Sequence, residues 1–143
     1  MAEESHAPEP FRLTYSTMFD PPVELHQRFD AALARVRTQL GNHHPMWIAG
    51  QARGGAEHFE VRSPIDRNLL LALFPCGSAA DAADAVSAAV AAYPAWAATP
   101  WPERVRILLR AAELIEQRVY DISAAVALEI GKNRLESLGE VQE

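Results

Sequence analysis

Helix-boundary residues punctuate the second half of this chain so regularly that a succession of helices is the main organisation open to it. Ser78 followed by Asp81 has the spacing of a capping box, with Asp in the place of Glu, and Val86, Val90 and Tyr93 supply the heavier positions of an Ala-rich face. Pro94 is expected to disturb or end that helix. Thr99-Pro100 starts the next, in which Val105, Leu108, Leu109, Ala112 and Ile115 form one stripe. Ile122, Val126 and Ile130 form another, closed by Gly131 where a left-handed cap belongs. Asn133 with Glu136 repeats the capping-box spacing and opens a last helical segment. That segment reaches Glu143 with no capping residue behind it. Terminal carbonyls need partners and the helix dipole disfavours carboxylates at that end, so the parent polypeptide is expected to continue past Glu143.

The first half is more varied. Residues 1–19 mix Pro, Glu, Ser and Thr with a few aromatics and read as an extended arm lying on another surface, with residues 20–143 as the folded part. Asp20-Pro21 starts a helix in which Leu25, Phe29, Leu33, Val36 and Leu40 recur at three- and four-residue steps until Gly41. Residues 45–49 and 58–62 flank a loop carrying Gly54-Gly55, which predicts two strands joined as a hairpin. Residues 68–74, bounded by Asp66 and by Pro75-Cys76-Gly77, predict a third strand. The fragment is thus mostly α-helical, with an amino-terminal helix, a short β-hairpin plus one strand, and then four helices.

Charge and composition exclude several classes of function. With 13 Lys+Arg against 19 Asp+Glu and no basic run, the chain lacks the electrostatic footprint that nucleic acid requires. No apolar stretch approaches the roughly 20 residues that span a bilayer, and residues 1–10 are acidic where a signal peptide is basic and then apolar. No membrane partner and a cytoplasmic location are expected. The single cysteine, Cys76, permits no internal disulfide.

The residues offer little chemistry of their own. Both common phosphate-cradling patterns, Gly-x-Gly-x-x-Gly and Gly-x-x-x-x-Gly-Lys-Ser/Thr, are absent. Gly131-Lys132 reads as a helix cap followed by a solvated lysine. Cys76 could be imagined as a nucleophile, but it follows an apolar run and has no identifiable base, so a buried or incidental thiol is the better reading. His43-His44 are adjacent and so diverge on either a helix or a strand, which suits a solvated pair better than a metal site. His6, His26 and His58 have no ligand spacing. Glu136, Glu140 and Glu143 share one helical face, ordinarily a solvated one. Gly139 costs that helix about 1 kcal/mol relative to Ala, which suggests close packing against it.

Six segments in register carry a resemblance. They are Pro45-Met46-Trp47-Ile48-Ala49-Gly50; Arg62-Ser63-Pro64-Ile65-Asp66; Ala88-Ala89-Val90-Ala91-Ala92-Tyr93-Pro94-Ala95-Trp96; Glu103-Arg104-Val105-Arg106-Ile107-Leu108; Glu129-Ile130-Gly131-Lys132-Asn133; and Gly139-Glu140-Val141. Together they resemble the amino-terminal part of an NAD(P)-dependent aldehyde dehydrogenase, about a quarter to a third of a complete family chain. The leading arm with Tyr15-Ser16-Thr17-Met18-Phe19, and Gly-Lys-Asn in place of the more usual Gly-Lys-Pro, are most similar to the 1-pyrroline-5-carboxylate dehydrogenase branch. Enzymes of that branch oxidise L-glutamate γ-semialdehyde to L-glutamate in proline catabolism.

The resemblance implies an α/β aldehyde dehydrogenase fold with a Rossmann-like cofactor domain, of which residues 20–143 form an outer part. It implies that NAD(P), the catalytic Cys, the oxyanion Asn and the general-base Glu all belong to family segments beyond the equivalent of Glu143. No catalytic, cofactor-binding or metal-binding residue is therefore expected here, and the isolated chain is expected neither to bind the cofactor nor to turn over substrate. The last helix borders the aldehyde tunnel in the family, and an acidic residue at the position of Glu143 approaches substrate in this branch. Expected partners are the remainder of the aldehyde dehydrogenase chain and, in the parent family, further subunits of a homo-oligomer. Two classes stay open: an enzyme segment that needs the remaining chain, and a non-catalytic helical module or decayed remnant that binds other subunits. The first predicts an exposed apolar surface where further strands would pack.

Overall fold

The structure is a computed structural model and describes residues 20–143. The expected arm at residues 1–19, with His6 and Tyr15-Ser16-Thr17-Met18-Phe19, lies outside the described residues.

Helix α1 spans Val23–Arg37 behind Pro21-Pro22, with Glu24 in its first turn and Arg35 and Arg37 in its last, the arrangement the helix dipole favours. Leu25, Phe29 and Ala32 are its buried residues. The helix ends earlier than Gly41, because the amides of Thr38 and Gln39 tighten onto the carbonyls of Arg35 and Val36 at 3.1 and 2.9 Å. Gly41, at φ +76°, then turns the chain into a strand.

Strands follow at Asn42–His43 (β1), Met46–Ile48 (β2), Gln51–Arg53 (β3), His58–Arg62 (β4) and Leu70–Pro75 (β5). A short hairpin is present, but its second strand differs from the expected one. β2 pairs antiparallel with β3 across a two-residue turn, with Ala49 at φ 52° and Gly50 at φ 74°. Two positive φ values in succession are the mark of a type I′ turn, which Ala-Gly does not advertise as Asn-Gly would. β4 pairs with β5 instead, placing Phe59 opposite Phe74 and Val61 opposite Ala72, and β1 runs parallel along the other edge of β5. The Phe59 and Phe74 rings stack with centroids 5.8 Å apart. Gly55 lets the preceding loop close on this sheet. A Cβ there would fall 2.9 Å from Pro75 Cβ.

The remaining helices are α2 (Ala79–Ala98), α3 (Trp101–Gln117), α4 (Val119–Ile130) and α5 (Arg134–Gln142), the four expected from Ser78 onward. Both capping boxes form. Ser78 and Asp81 exchange backbone-to-side-chain bonds of 3.1 and 2.9 Å, and Asn133 and Glu136 do so at 3.0 and 3.3 Å. Gly131 caps α4 at φ 74°. Pro94 does not end α2, which continues to Ala98. The proline withholds a donor from the carbonyl of Val90, but Val90 is exposed, so water can serve that carbonyl.

The core lies where α4 packs between α1 and α5. Leu25, Phe29 and Ala32 of α1 meet Ala124 and Ala127 of α4 and Leu138 of α5. Each large side chain buried there contributes about 1.5–3 kcal/mol. The Arg134 guanidinium lies over the Phe29 ring, 4.7 Å from its centroid, and donates to His26 Nδ1 at 2.9 Å and to the Asp30 carboxylate. Arg35 reaches Asp121 at 2.6 Å, fastening α1 to α4.

Candidate functional site

The acidic face expected on α5 divides into three separate roles. Glu136 closes the Asn133 capping box, and Glu140 pairs with Lys132, which is therefore not simply solvated. Glu143 has no ion-pair partner among the described residues, and its amide donates to the Gly139 carbonyl at 3.2 Å. With Val141 and Gln142 it borders an open groove of about 330 Å³ whose other wall is formed by Ala112, Ile115 and Glu116 of α3 and Val119 of α4. Two carboxylates and no basic side chain line this groove. Such a lining attracts a cationic group.

The other candidate residues come together only in part. Cys76 is exposed just past β5 and holds the sheet end through its amide, which donates to the Glu57 carbonyl at 2.8 Å; no hydrogen bond engages its Sγ among the described residues. His43 and His58 were not expected to meet, yet β1 and β4 flank β5 and bring their rings to 5.0 Å in an edge-on arrangement. His44 stacks on Phe74 instead, as the alternation of strand faces requires. No group of three or more potential metal ligands exists among the described residues.

Two of the helix N-termini are closed to a dinucleotide. Its pyrophosphate needs free main-chain N–H groups at a helix N-terminus or in a glycine loop. The N-termini of α2 and α5 are filled by the chain's own Asp81 and Glu136. Asp81 is held below the usual carboxylate range, first by the Ser78 side chain and backbone and then by Arg53. A bound phosphate would have to displace an ionised carboxylate. Neither of these two N-termini therefore offers a pyrophosphate a free cradle.

What the structure does present is a limb. Neither α2 nor α3 buries a residue. Val90 is 67% exposed, Tyr93 69% and Leu108 66%, and Trp101, Leu109 and Ile115 are likewise open. The stripe expected on α3 is amphipathic; Ala112 and Ile115 face the groove beside α5, and Leu108 and Leu109 lie open among the described residues. At its base α2 is fixed to the sheet by Arg53, which contacts Asp84 at 2.7 Å and Asp81 at 3.7 Å, while α3 joins α4 through Arg118 alone.

Five helices with a three-stranded mixed sheet and a two-stranded hairpin make the described residues an α/β arrangement. Residues 47–143 match the Aldehyde dehydrogenase family, and the chain belongs to that family. Among its relatives is the 1-pyrroline-5-carboxylate dehydrogenase of Staphylococcus epidermidis, 31% identical over 117 residues, which are 82% of this chain and 23% of the relative. The α-ketoglutarate semialdehyde dehydrogenase of Haloferax volcanii is 40% identical over 96 residues, 67% of this chain and 19% of that one. A crystal structure of 1-pyrroline-5-carboxylate dehydrogenase from Thermus with bound NAD superposes with a TM-score of 0.84 at 30% identity, covering 95% of this chain and 26% of the Thermus chain. The chain thus spans about a quarter of the length of the proteins it matches.

Proposed function

We propose that this chain is the amino-terminal portion of an aldehyde dehydrogenase that oxidises L-glutamate γ-semialdehyde, the open form of 1-pyrroline-5-carboxylate, to L-glutamate with NAD in cytoplasmic proline catabolism. The observation that carries the reading is the match of 95% of the chain to the Thermus enzyme at 30% identity. On this reading NAD, the nucleophile and the general base are supplied by polypeptide not included in these residues. The isolated chain is inactive and does not bind NAD, and residues 20–143 are the outer part of the cofactor domain of a homo-oligomer. The chain's part in the chemistry is to shape the substrate tunnel.

Glu143 is the residue assigned to substrate. Glutamate γ-semialdehyde carries an α-ammonium, and the groove beside Glu143 is lined by carboxylates without a basic side chain. A charge-assisted hydrogen bond there contributes about 1.5–3 kcal/mol. The ammonium also separates this substrate from α-ketoglutarate semialdehyde, the substrate named for the Haloferax relative, which lacks one.

The test grafts this chain onto the Thermus enzyme in place of its matched quarter. The graft should reduce NAD with glutamate γ-semialdehyde, and Glu143→Gln should raise KM for it roughly tenfold or more while leaving KM for succinic semialdehyde, which has no ammonium, unchanged. A folded graft that prefers succinic semialdehyde would refute the substrate. A second reading, a non-catalytic module that binds other subunits, draws on the exposed limb. Turnover by the graft would exclude it.

A further inference from the structure

We infer that His43 and His58 form a binding site for a divalent cation of the zinc class, which fastens the two edge strands of the three-stranded sheet to one another. The inference is independent of the proposed substrate.

The sheet register creates the site. His43 lies opposite Leu73 on one side of β5 and His58 lies opposite Pro75 on the other, so both imidazoles stand on the same face of the sheet. β5 separates β1 from β4, which puts their backbones roughly 9–10 Å apart. The two rings nevertheless approach to 5.0 Å between centroids, at 82° to each other. Each side chain therefore leans inward over β5, although both residues are exposed and free to extend into solvent. His44 alternates to the other face, where it stacks on Phe74 and takes no part.

The spacing suits a shared ion. An imidazole nitrogen holds zinc at about 2.0–2.1 Å, and two rings at a tetrahedral angle around one ion then have centroids roughly 5 Å apart. Imidazole donors select zinc, copper and nickel, whereas magnesium and calcium prefer oxygen. Glu60 completes the cross-strand row of His43 and Leu73, and its pairing with Arg62 at 2.7 Å offsets the guanidinium charge there. The two rings are the protein's share of the site, since no group of three ligands exists among the described residues. Water completes the coordination shell and keeps the ion exchangeable.

The consequence falls on β1, which contains only Asn42 and His43. The flanking amides of Gly41 and His44 donate to the carbonyls of Leu71 and Leu73, each at 2.9 Å. A chelate from His43 to His58 closes the chain between them, including the β2–β3 hairpin, into a loop. It thereby removes freedom from the open state and holds β1 in place.

Zinc titration with mutants tests the site without reading turnover. Calorimetry should show one Zn²⁺ per chain whose affinity falls roughly tenfold or more in His43→Gln and in His58→Gln, nearly as far as in both together, because one imidazole cannot chelate. Mg²⁺ should produce no such signal, and Cys76→Ser and His44→Gln should leave zinc binding unchanged. With free zinc at about ten times its Kd, exchange of the Gly41 and His44 amides should slow about tenfold, and His58→Gln, a change on a different strand, should remove the slowing. Zinc binding that survives the double substitution, or that is lost in Cys76→Ser instead, would overturn the inference. So would binding that leaves those amides unslowed. Absence of binding would reduce the pair to an edge-on aromatic contact and overturn it equally. The graft onto the Thermus enzyme gives a second measurement that does not depend on the chain folding alone: zinc binding there without dependence on both histidines, or none at all, also counts against the site.

Discussion

Ser63 Oγ donates a 2.6 Å hydrogen bond to the backbone carbonyl of Leu128, 65 residues further along the chain. That carbonyl is among the last of α4 and has no partner within the helix. Ser63 is 1% exposed and its oxygen also accepts from the Ile65 amide at 3.3 Å. One hydroxyl therefore ends a strand, starts a turn and caps a distant helix. Ser63→Ala should destabilise the chain by about 1–3 kcal/mol, read as a lower urea midpoint at unchanged slope. An unchanged midpoint would show that the hydroxyl contributes nothing.

Ala49 holds a left-handed conformation, φ 52°, that costs an ordinary side chain roughly 1–2 kcal/mol. Asn adopts it more readily and is favoured at this place in a type I′ turn. Ala49→Asn should raise stability by about 0.5–1 kcal/mol in the same titration. Loss of stability would mean that the turn is not the one described.

Ser123 lies fully buried on α4, and its Oγ has no hydrogen-bond partner among the described residues. A hydroxyl left without a partner in an apolar setting opposes folding by about 1–3 kcal/mol. Ser123→Ala should therefore be neutral or raise the melting temperature, in contrast to Ser63→Ala. A falling melting temperature would reveal a bond that Ser123 makes in solution.

The Ser78 capping box gives α2 a dependence on acid. Asp81 has its pKa lowered by folding, chiefly by the Ser78 hydroxyl and amide, so its contribution is present above the unfolded value and is lost as pH falls through the folded one. Helical circular dichroism should decline across that acidic window as the first turn of α2 frays. In Ser78→Ala the decline should be smaller and shifted to higher pH. Tyr120 behaves in the opposite sense. Burial raises its pKa, so the fold loses stability as pH climbs above the unfolded tyrosine value, and Tyr120→Phe should remove that alkaline loss.

Local signals in the sequence proved the most legible. Ser78/Asp81, Asn133/Glu136 and Gly131 act within one helical turn, and each forms the cap its spacing predicts. Pairings set by distant chain were harder to read. Nothing near His58–Arg62 says that its partner is β5 rather than β2, because the match of Phe59 to Phe74 is created by the register. Pro94 carries an intrinsic cost inside a helix, and the solvent around Val90 softens that cost. The stripe on α3 shows that the helix needs a partner without showing which chain provides it. Only the resemblance points to Glu143; its two-carboxylate groove depends on α3 and α5 converging, which no local pattern encodes.

The core described at α1, α4 and α5 draws on both ends of the chain, with Leu25 and Phe29 waiting for Ala127 and Leu138. On a ribosome adding roughly 5–20 residues per second, α1 is made several seconds before the helices it packs against. During that interval its apolar stripe has no native cover. That stripe stays uncovered until the residues of α4 and α5 have been synthesised, so the order of synthesis, as much as the final contacts, limits how efficiently this segment reaches its fold.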